Sequence, residues 1–224
     1  MSRSKNPSMI NIESLSQICD LQIHSFVKHG EQTSTSDGSY FFDDRNTKIL
    51  GIAHLDTVLE PSPLQKSGSL VSHPCLDDRL GVYLLLEILP KLGIEFDLLL
   101  TEGEEKGKST AAHFKTDKKY NWMFSFDRAG TDVVMYQYQE PILERMVEYH
   151  GMKVGRGSFS DISFLEHLGC KGLNIGTGYY HNHSPQAFAD LNHTMKMVRK
   201  FVAFYNACKD TELAHEKTPL VSCD

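Results

Sequence analysis

Cysteine is sparse and unpatterned in this chain: Cys19, Cys75, Cys170, Cys208 and Cys223 are odd in number, scattered, and never spaced as CxxC. A disulfide framework is therefore not expected, and reduced thiols in a cytoplasm fit better. Long apolar runs are missing as well. No stretch approaches the ~20 residues that a membrane span needs, and Met1 to Pro7 lead into a mixed polar stretch rather than the apolar block of a secretory signal. The expected location is the cytoplasm. There is no dense run of lysine or arginine, and the net charge of -6 with a pI near 6.0 gives nothing to hold a phosphate backbone or an anionic bilayer. Nucleic acid and membrane are thus not expected as partners. HExxH, GxSxG, GxGxxG and GxxxxGK are also absent, which removes the single-zinc helix proteases, the serine hydrolases with a nucleophile elbow, and the common dinucleotide and P-loop sites.

What is present suffices for a full core. A length of 224 residues with 40% hydrophobic content predicts a single domain over 1–224, with no repeat, low-complexity stretch or Gly/Ser linker to divide it. Residues 210–224 are expected to form a loose tail. Helical spacing is predicted from Ile10 to Val27, Leu80 to Leu92, Ser109 to Phe114, Pro141 to Tyr149, Asp161 to Leu168 and Leu191 to Asn206. Short continuous apolar runs predict strands at Lys48–Leu55, Ile94–Thr101, Asn121–Phe126 and Val133–Tyr138. Strands alternating with helices imply an α/β sandwich covered on both faces, with ligands at the carboxyl ends of the strands.

Chemistry-bearing residues collect at those ends. His54 and Asp56 end one strand, Asp77 and Asp78 open a helix, Glu104 and Glu105 follow a second strand, Asp127 ends a third, and His181 and His183 lie beyond. Taken singly, each has a structural reading: a turn cap, a helix N-cap, a solvated acidic loop, surface histidines. Taken together they read as one two-metal hydrolytic site. His54 would touch a cation, with the Asp56 carboxylate behind it fixing the imidazole tautomer. One of the Asp77-Asp78 pair would bridge two cations. Glu105 is assigned to the metal and Glu104 to proton transfer. Oxygen and imidazole ligands without thiolate suit two zinc ions, and also cobalt or manganese.

The order HxD, DDRxG, EExG, Asp and a Tyr-rich segment ending His-Ser-Pro resembles the co-catalytic zinc exopeptidases, which include di-zinc aminopeptidases, tetrahedral aminopeptidases and related carboxypeptidases. The likeness runs from about Lys48 to Leu191, with Leu76–Gly81 especially similar to the tetrahedral aminopeptidases. Gly157–Asp161 and Gly178–His183 look like small bacterial and phage members. The resemblance implies a three-layer α/β sandwich with a mixed, largely parallel central sheet. It implies that Asp77 bridges two metals, with His54 and Asp127 serving different ones, Glu105 joining one and His183 closing the other, or else with His54 and Asp127 together on one metal and Glu105 and His183 on the other. It also suggests a cis peptide at Asp77-Asp78, and substrate contacts from Arg128, Asp161, Tyr180 and His181. The intervals from His54 to Asp77 and from Asp127 to His183 leave no room for an inserted lid or dimerisation domain.

The implied activity is removal of an N-terminal residue from a short peptide. The alternatives are a carboxypeptidase or N-acyl amino acid deacylase on the same site, with Arg128 or Arg156 holding a carboxylate, and a catalytically inactive metal-bound interaction module. A homo-oligomer is compatible with the resemblance.

Overall fold

The computed structural model describes residues 9–216. In chain order its strands are β1 (Glu31–Thr35), β2 (Gly38–Asp43), β3 (Ile49–His54), β4 (Gln65–Ser67), β5 (Leu70–Ser72), β6 (Asp97–Thr101), β7 (Trp122–Arg128), β8 (Asp132–Val134), β9 (Lys153–Val154), β10 (Lys171–Gly176), β11 (Tyr179–Tyr180) and β12 (Phe188–Asp190). Eight of them form one mixed sheet in the order β1-β2-β6-β3-β7-β10-β8-β9. Its centre is parallel, with β6, β3, β7 and β10 running together, while β1, β2 and β8 run against their neighbours. A smaller antiparallel sheet has the order β11-β12-β5-β4.

The central strands read as unbroken apolar runs because both of their faces are covered. Alternate side chains go to opposite layers. Ile49, Ala53, Leu98, Leu100, Trp122, Phe124 and Phe126 pack into one core, against α1 (Ile12–Asp20), α2 (Leu76–Tyr83, continued by a π turn and a last helical turn to Lys91) and the long terminal α3 (Leu191–Cys208). Leu50, Ile52, Leu99 and Met123 face the other core, with Phe114, Tyr138, Ile162 and Leu165. Asp97, a buried charge at the start of β6, is fully satisfied. It accepts the backbone N–H groups of Arg45 and Thr47 at 3.0 Å and the Tyr120 hydroxyl at 2.9 Å, and pairs with Lys118. A buried carboxylate so bonded avoids the cost of an unpaired one.

Several elements differ from expectation for local reasons. The predicted helix Ile10–Val27 is two pieces: α1 ends at Asp20, Leu21 and Gln22 are extended, and a 3-10 segment runs from Ile23 to His29. Val133–Tyr138 splits likewise, because β8 stops at Val134 and Tyr136–Tyr138 makes a 3-10 turn. Ser109–Phe114 contracts to a 3-10 turn at Thr110–His113, and Asp161–Leu168 is 3-10 rather than α. The β1-β2 hairpin and the small sheet escaped prediction, since β1 and β4 are polar and exposed, the apolar run of β2 is only Tyr40-Phe41-Phe42, and β5, β11 and β12 are two or three residues long. Against the expectation of a loose end from 210, the chain is docked as far as His215. Leu213 is buried, Ala214 bridges to Cys170, and His215 pairs with Glu166 at 2.9 Å. The remainder of that segment, 217–224, lies outside the described residues.

Candidate metal centre and catalytic cavity

Parallel strands bring their carboxyl ends to one edge, and the sheet order β6-β3-β7 sets side by side what the sequence separates. His54 is the last residue of β3, Asp127 the sixth of β7, and Glu104 and Glu105 follow β6 in a short 3-10 turn between Gly103 and Gly107, both in the left-handed region. Asp77 enters from the start of α2, where the Asp77-Asp78 peptide is cis. His183 comes from the turn between β11 and β12, with φ +58°.

These side chains form two triplets that share Asp77. His54, Asp77 and Asp127 make one, and Asp77, Glu105 and His183 the other, each with its donor atoms within 4.8 Å of one another. His54 Nε2 lies 3.3 Å from Asp77 Oδ1 and 3.5 Å from Asp127 Oδ1. His183 Nε2 lies 3.1 Å from Asp77 Oδ2 and 2.8 Å from Glu105 Oε2. Two donors each about 2.0–2.1 Å from a tetrahedral zinc stand roughly 3.3 Å apart. The first triplet matches that spacing closely. Of the two groupings the resemblance implies, the triplets match the one that pairs His54 with Asp127 and Glu105 with His183, not the one that puts His54 and Asp127 on different metals. The reason is topological: β3 and β7 are neighbours, whereas Glu105 arrives from the far side of β3.

The buried polar atoms supply an independent test of fit. His54 Nε2, Glu105 Oε1 and both carboxylate oxygens of Asp78 make no hydrogen bond among the described residues. Leaving such groups unpaired costs about 1–3 kcal/mol each, more when charged. Bound dications remove that penalty for His54 and Glu105, so the residues present fit two of them. His54 has its lone pair aimed correctly for this. Its Nδ1 donates to the Asp56 backbone carbonyl at 2.9 Å, which leaves Nε2 as the acceptor. Here the mechanism expected for Asp56 is corrected: the carbonyl fixes the tautomer, while the carboxylate, 3.6 Å from Nδ1, accepts the Glu105 backbone N–H at 3.2 Å. The strand ends at His54, so the extended-chain rule that puts residues i and i+2 on one face does not reach Asp56.

Without cations the crowded carboxyls shift strongly. Burial, then the charge of Asp127, pushes Glu104 up to about 9. Burial raises Asp127 to about 8, and burial with the neighbouring Asp77 raises Glu105 to about 7. Asp78, wholly buried near Asp127, goes well above the carboxylate range. Burial opposes ionisation of Asp77 also, but contacts from His183 and His54 outweigh it and hold Asp77 low. His54 is raised well above its ordinary value, since Asp127 and Asp77 override the burial that disfavours its charge.

A cavity of about 290 Å³ opens on this centre, lined by Asp77, Glu104, Glu105, Asp127, Arg128 and Tyr136 among others. Glu104 Oε2 is 3.9 Å from His54 Nε2, and its side chain is 12% exposed. The remaining expected residues are placed unevenly. Arg128 lines the cavity but is held by Asp132 through two bonds of 3.0 and 3.1 Å. Asp161 is not at the surface of the cavity. It is buried beneath the glutamate turn, where it accepts from Thr101 at 2.7 Å and from Ser109. Tyr180 points away and meets His193 at 3.1 Å, while His181 packs on Phe188. Strand alternation sends Tyr179 inward instead, buried against the cavity with its phenol facing Asp77. Tyr136, Asn174 and Asn182 were missed by sequence reasoning. Asn182 donates to Asp77 at 3.2 Å, and Asn174 braces Asp127 from both sides of its backbone. Only the place of Asn182 between two histidines hinted at a role.

Sheet order, flanking helices and this edge of the sheet define the α/β fold of zinc exopeptidase catalytic domains. Solved structures agree. The Staphylococcus aureus tripeptidase superposes with a TM-score of 0.66 at 10% identity, over 88% of this chain and 98% of that one. Aminopeptidase PepT from Bacillus cereus gives 0.64 at 11%, over 88% and 98%. The Pyrococcus horikoshii TET1 peptidase, which can assemble into a tetrahedron or a large octahedral shell, gives 0.59 at 16%, over 94% and 100%. No family model and no curated protein matches the sequence.

Proposed function

We propose that this chain is a metal-dependent exopeptidase that removes the N-terminal residue of short peptides, using two divalent cations, zinc foremost. The observation that carries the reading is the pair of triplets meeting at Asp77 with Glu104 beside them in one cavity. His54, Asp77 and Asp127 would hold one cation, and Asp77, Glu105 and His183 the other. Bound dications supply acidification of water and neutralisation of the charge that builds on a carbonyl oxygen. The chain's own residues do the rest. Glu104, which ligates neither cation in this scheme, accepts the proton of the attacking water and returns it to the leaving amine. Asn182 fixes the Asp77 carboxylate, and the Asp56 carbonyl fixes His54.

The carboxypeptidase and deacylase alternatives lose support at Arg128, whose guanidinium already serves Asp132 and the Arg156 carbonyl. The neighbours, an aminopeptidase and a tripeptidase, favour the same reading, and the assemblies of TET1 make a homo-oligomer part of the proposal. The test is a panel of free-amine and N-acylated peptides together with elemental analysis. Free-amine substrates are expected to be cleaved, and Glu104→Gln to keep its metal while losing at least about 100-fold in turnover. A metal-loaded wild type that cleaves neither class would instead identify a binding module.

A further inference from the structure

Tyr136 stands out for its backbone. It has φ +46° without being glycine, a conformation that costs about 1–3 kcal/mol and persists only where its surroundings enforce it. Here the two residues that follow it are held. Gln137 donates to the Ser163 carbonyl at 2.9 Å and Tyr138 to the Ile162 carbonyl at 2.7 Å, which pins the 3-10 turn to one neighbouring segment. The effect is to put the Tyr136 ring on the wall of the cavity that also holds Glu104, Asp127 and His183.

The hydroxyl is oriented by Asn174. That amide uses its oxygen for the Asp127 N–H at 3.0 Å, one N–H for the Asp127 carbonyl at 3.0 Å and the other for the Tyr136 oxygen at 2.9 Å. Both Asn174 N–H donors are thereby used, and because an amide nitrogen only donates, the phenol oxygen must be the acceptor in their contact. The phenol's own proton remains for a partner in the cavity. A donor held rigidly, half-buried and tied through one amide to the strand of Asp127 has the properties of a preorganised stabiliser of developing negative charge.

We propose that Tyr136 is a catalytic residue, donating its phenolic proton in a hydrogen bond to the carbonyl oxygen of the scissile amide as that oxygen gains charge. This rests on the exopeptidase reading and adds to it a donor from the chain itself. No proton is transferred: the phenol stays intact and only its hydrogen bond strengthens.

The test uses Tyr136→Phe and a variant with 3-fluorotyrosine at 136, in the metal-loaded protein. Three quantities are read: peptide turnover, affinity for a phosphinic pseudopeptide whose tetrahedral oxygens copy the charged carbonyl, and affinity for the product amino acid. Tyr136→Phe is expected to lower kcat and phosphinate affinity by about 100-fold or more, with KM, product affinity and metal content within about twofold. Fluorotyrosine should restore both losses, which a merely structural ring would not require. The inference is overturned if Tyr136→Phe keeps kcat and phosphinate affinity within about threefold of wild type, or if product affinity falls in parallel with them. Wild type that binds the phosphinate but cleaves no peptide refutes the exopeptidase reading, and the phosphinate comparison still decides Tyr136. Wild type that binds neither refutes both.

Discussion

Gly81 shows how closely single atoms are fitted around this centre. A Cβ built there would stand 2.1 Å from Asp78 Oδ1 and 2.7 Å from its Cγ. Asp78 is wholly buried, so it has nowhere to retreat. The glycine of DDRxG therefore exists to let Asp78 fold back over the first turn of α2. Gly81→Ala is expected to destabilise the fold by about 1–3 kcal/mol through overpacking, and to weaken cation binding by shifting Asp77. Denaturant unfolding and metal titration read the two effects separately. A variant with wild-type values in both would show that Asp78 moves freely.

At the scale of elements, the loop from Glu102 to Lys108 matters most, because it carries both glutamates. Asp161 ties its two ends, accepting from Thr101 where β6 finishes and from Ser109 where the next turn begins. Thr110 closes it further, donating its N–H to the Glu102 carbonyl and accepting the Glu102 N–H, at 2.8 and 3.0 Å. Asp161→Ala strips two buried hydroxyls of their acceptor, at about 1–3 kcal/mol. Faster amide hydrogen exchange across 102–110 and lower turnover are expected, with the rest of the sheet unchanged. Uniform loss of protection throughout the protein would contradict a local role. The sequence marked Asp161 as important and misread why: a motif names a residue, but only packing shows whether it faces the cavity or the loop beneath.

For the whole molecule, the consequence is dependence on cations and pH. In the cation-free fold Glu104, Asp127 and Glu105 are raised by burial to about 9, 8 and 7, while unfolded carboxyls titrate near about 4. Between these values the folded chain holds protons that the unfolded chain has lost, so their stabilising contribution is full at low pH and disappears as pH rises through roughly 7 to 9. His54, also raised, works in the same direction, and Asp77, held low, opposes it only in acid. The melting temperature of chelator-treated protein should therefore fall from pH 6 to pH 9. Added zinc should raise it most at the alkaline end, because the cation needs deprotonated ligands. A flat profile, or no response to metal, would remove the basis of the two-cation site. Among the described residues no helix is long and apolar enough to cross a membrane.

Sequence alone determined the central strands, since runs such as Leu98-Leu99-Leu100 and Trp122-Met123-Phe124 allow little but a strand buried on both faces. It also determined which residue types end them, and hence the candidate ligands His54, Asp77, Glu105, Asp127 and His183. Which of the two implied groupings those ligands take came only with the tertiary structure. Neighbours in the sheet are set by how the helices cross over it, so the placing of β3 between β6 and β7 decided that His54 shares a triplet with Asp127 and Glu105 one with His183. Tyr136, Tyr179 and Asn174 were equally invisible beforehand. Their roles depend on which way a side chain faces and what braces it, and those are properties of packing between segments far apart in the chain.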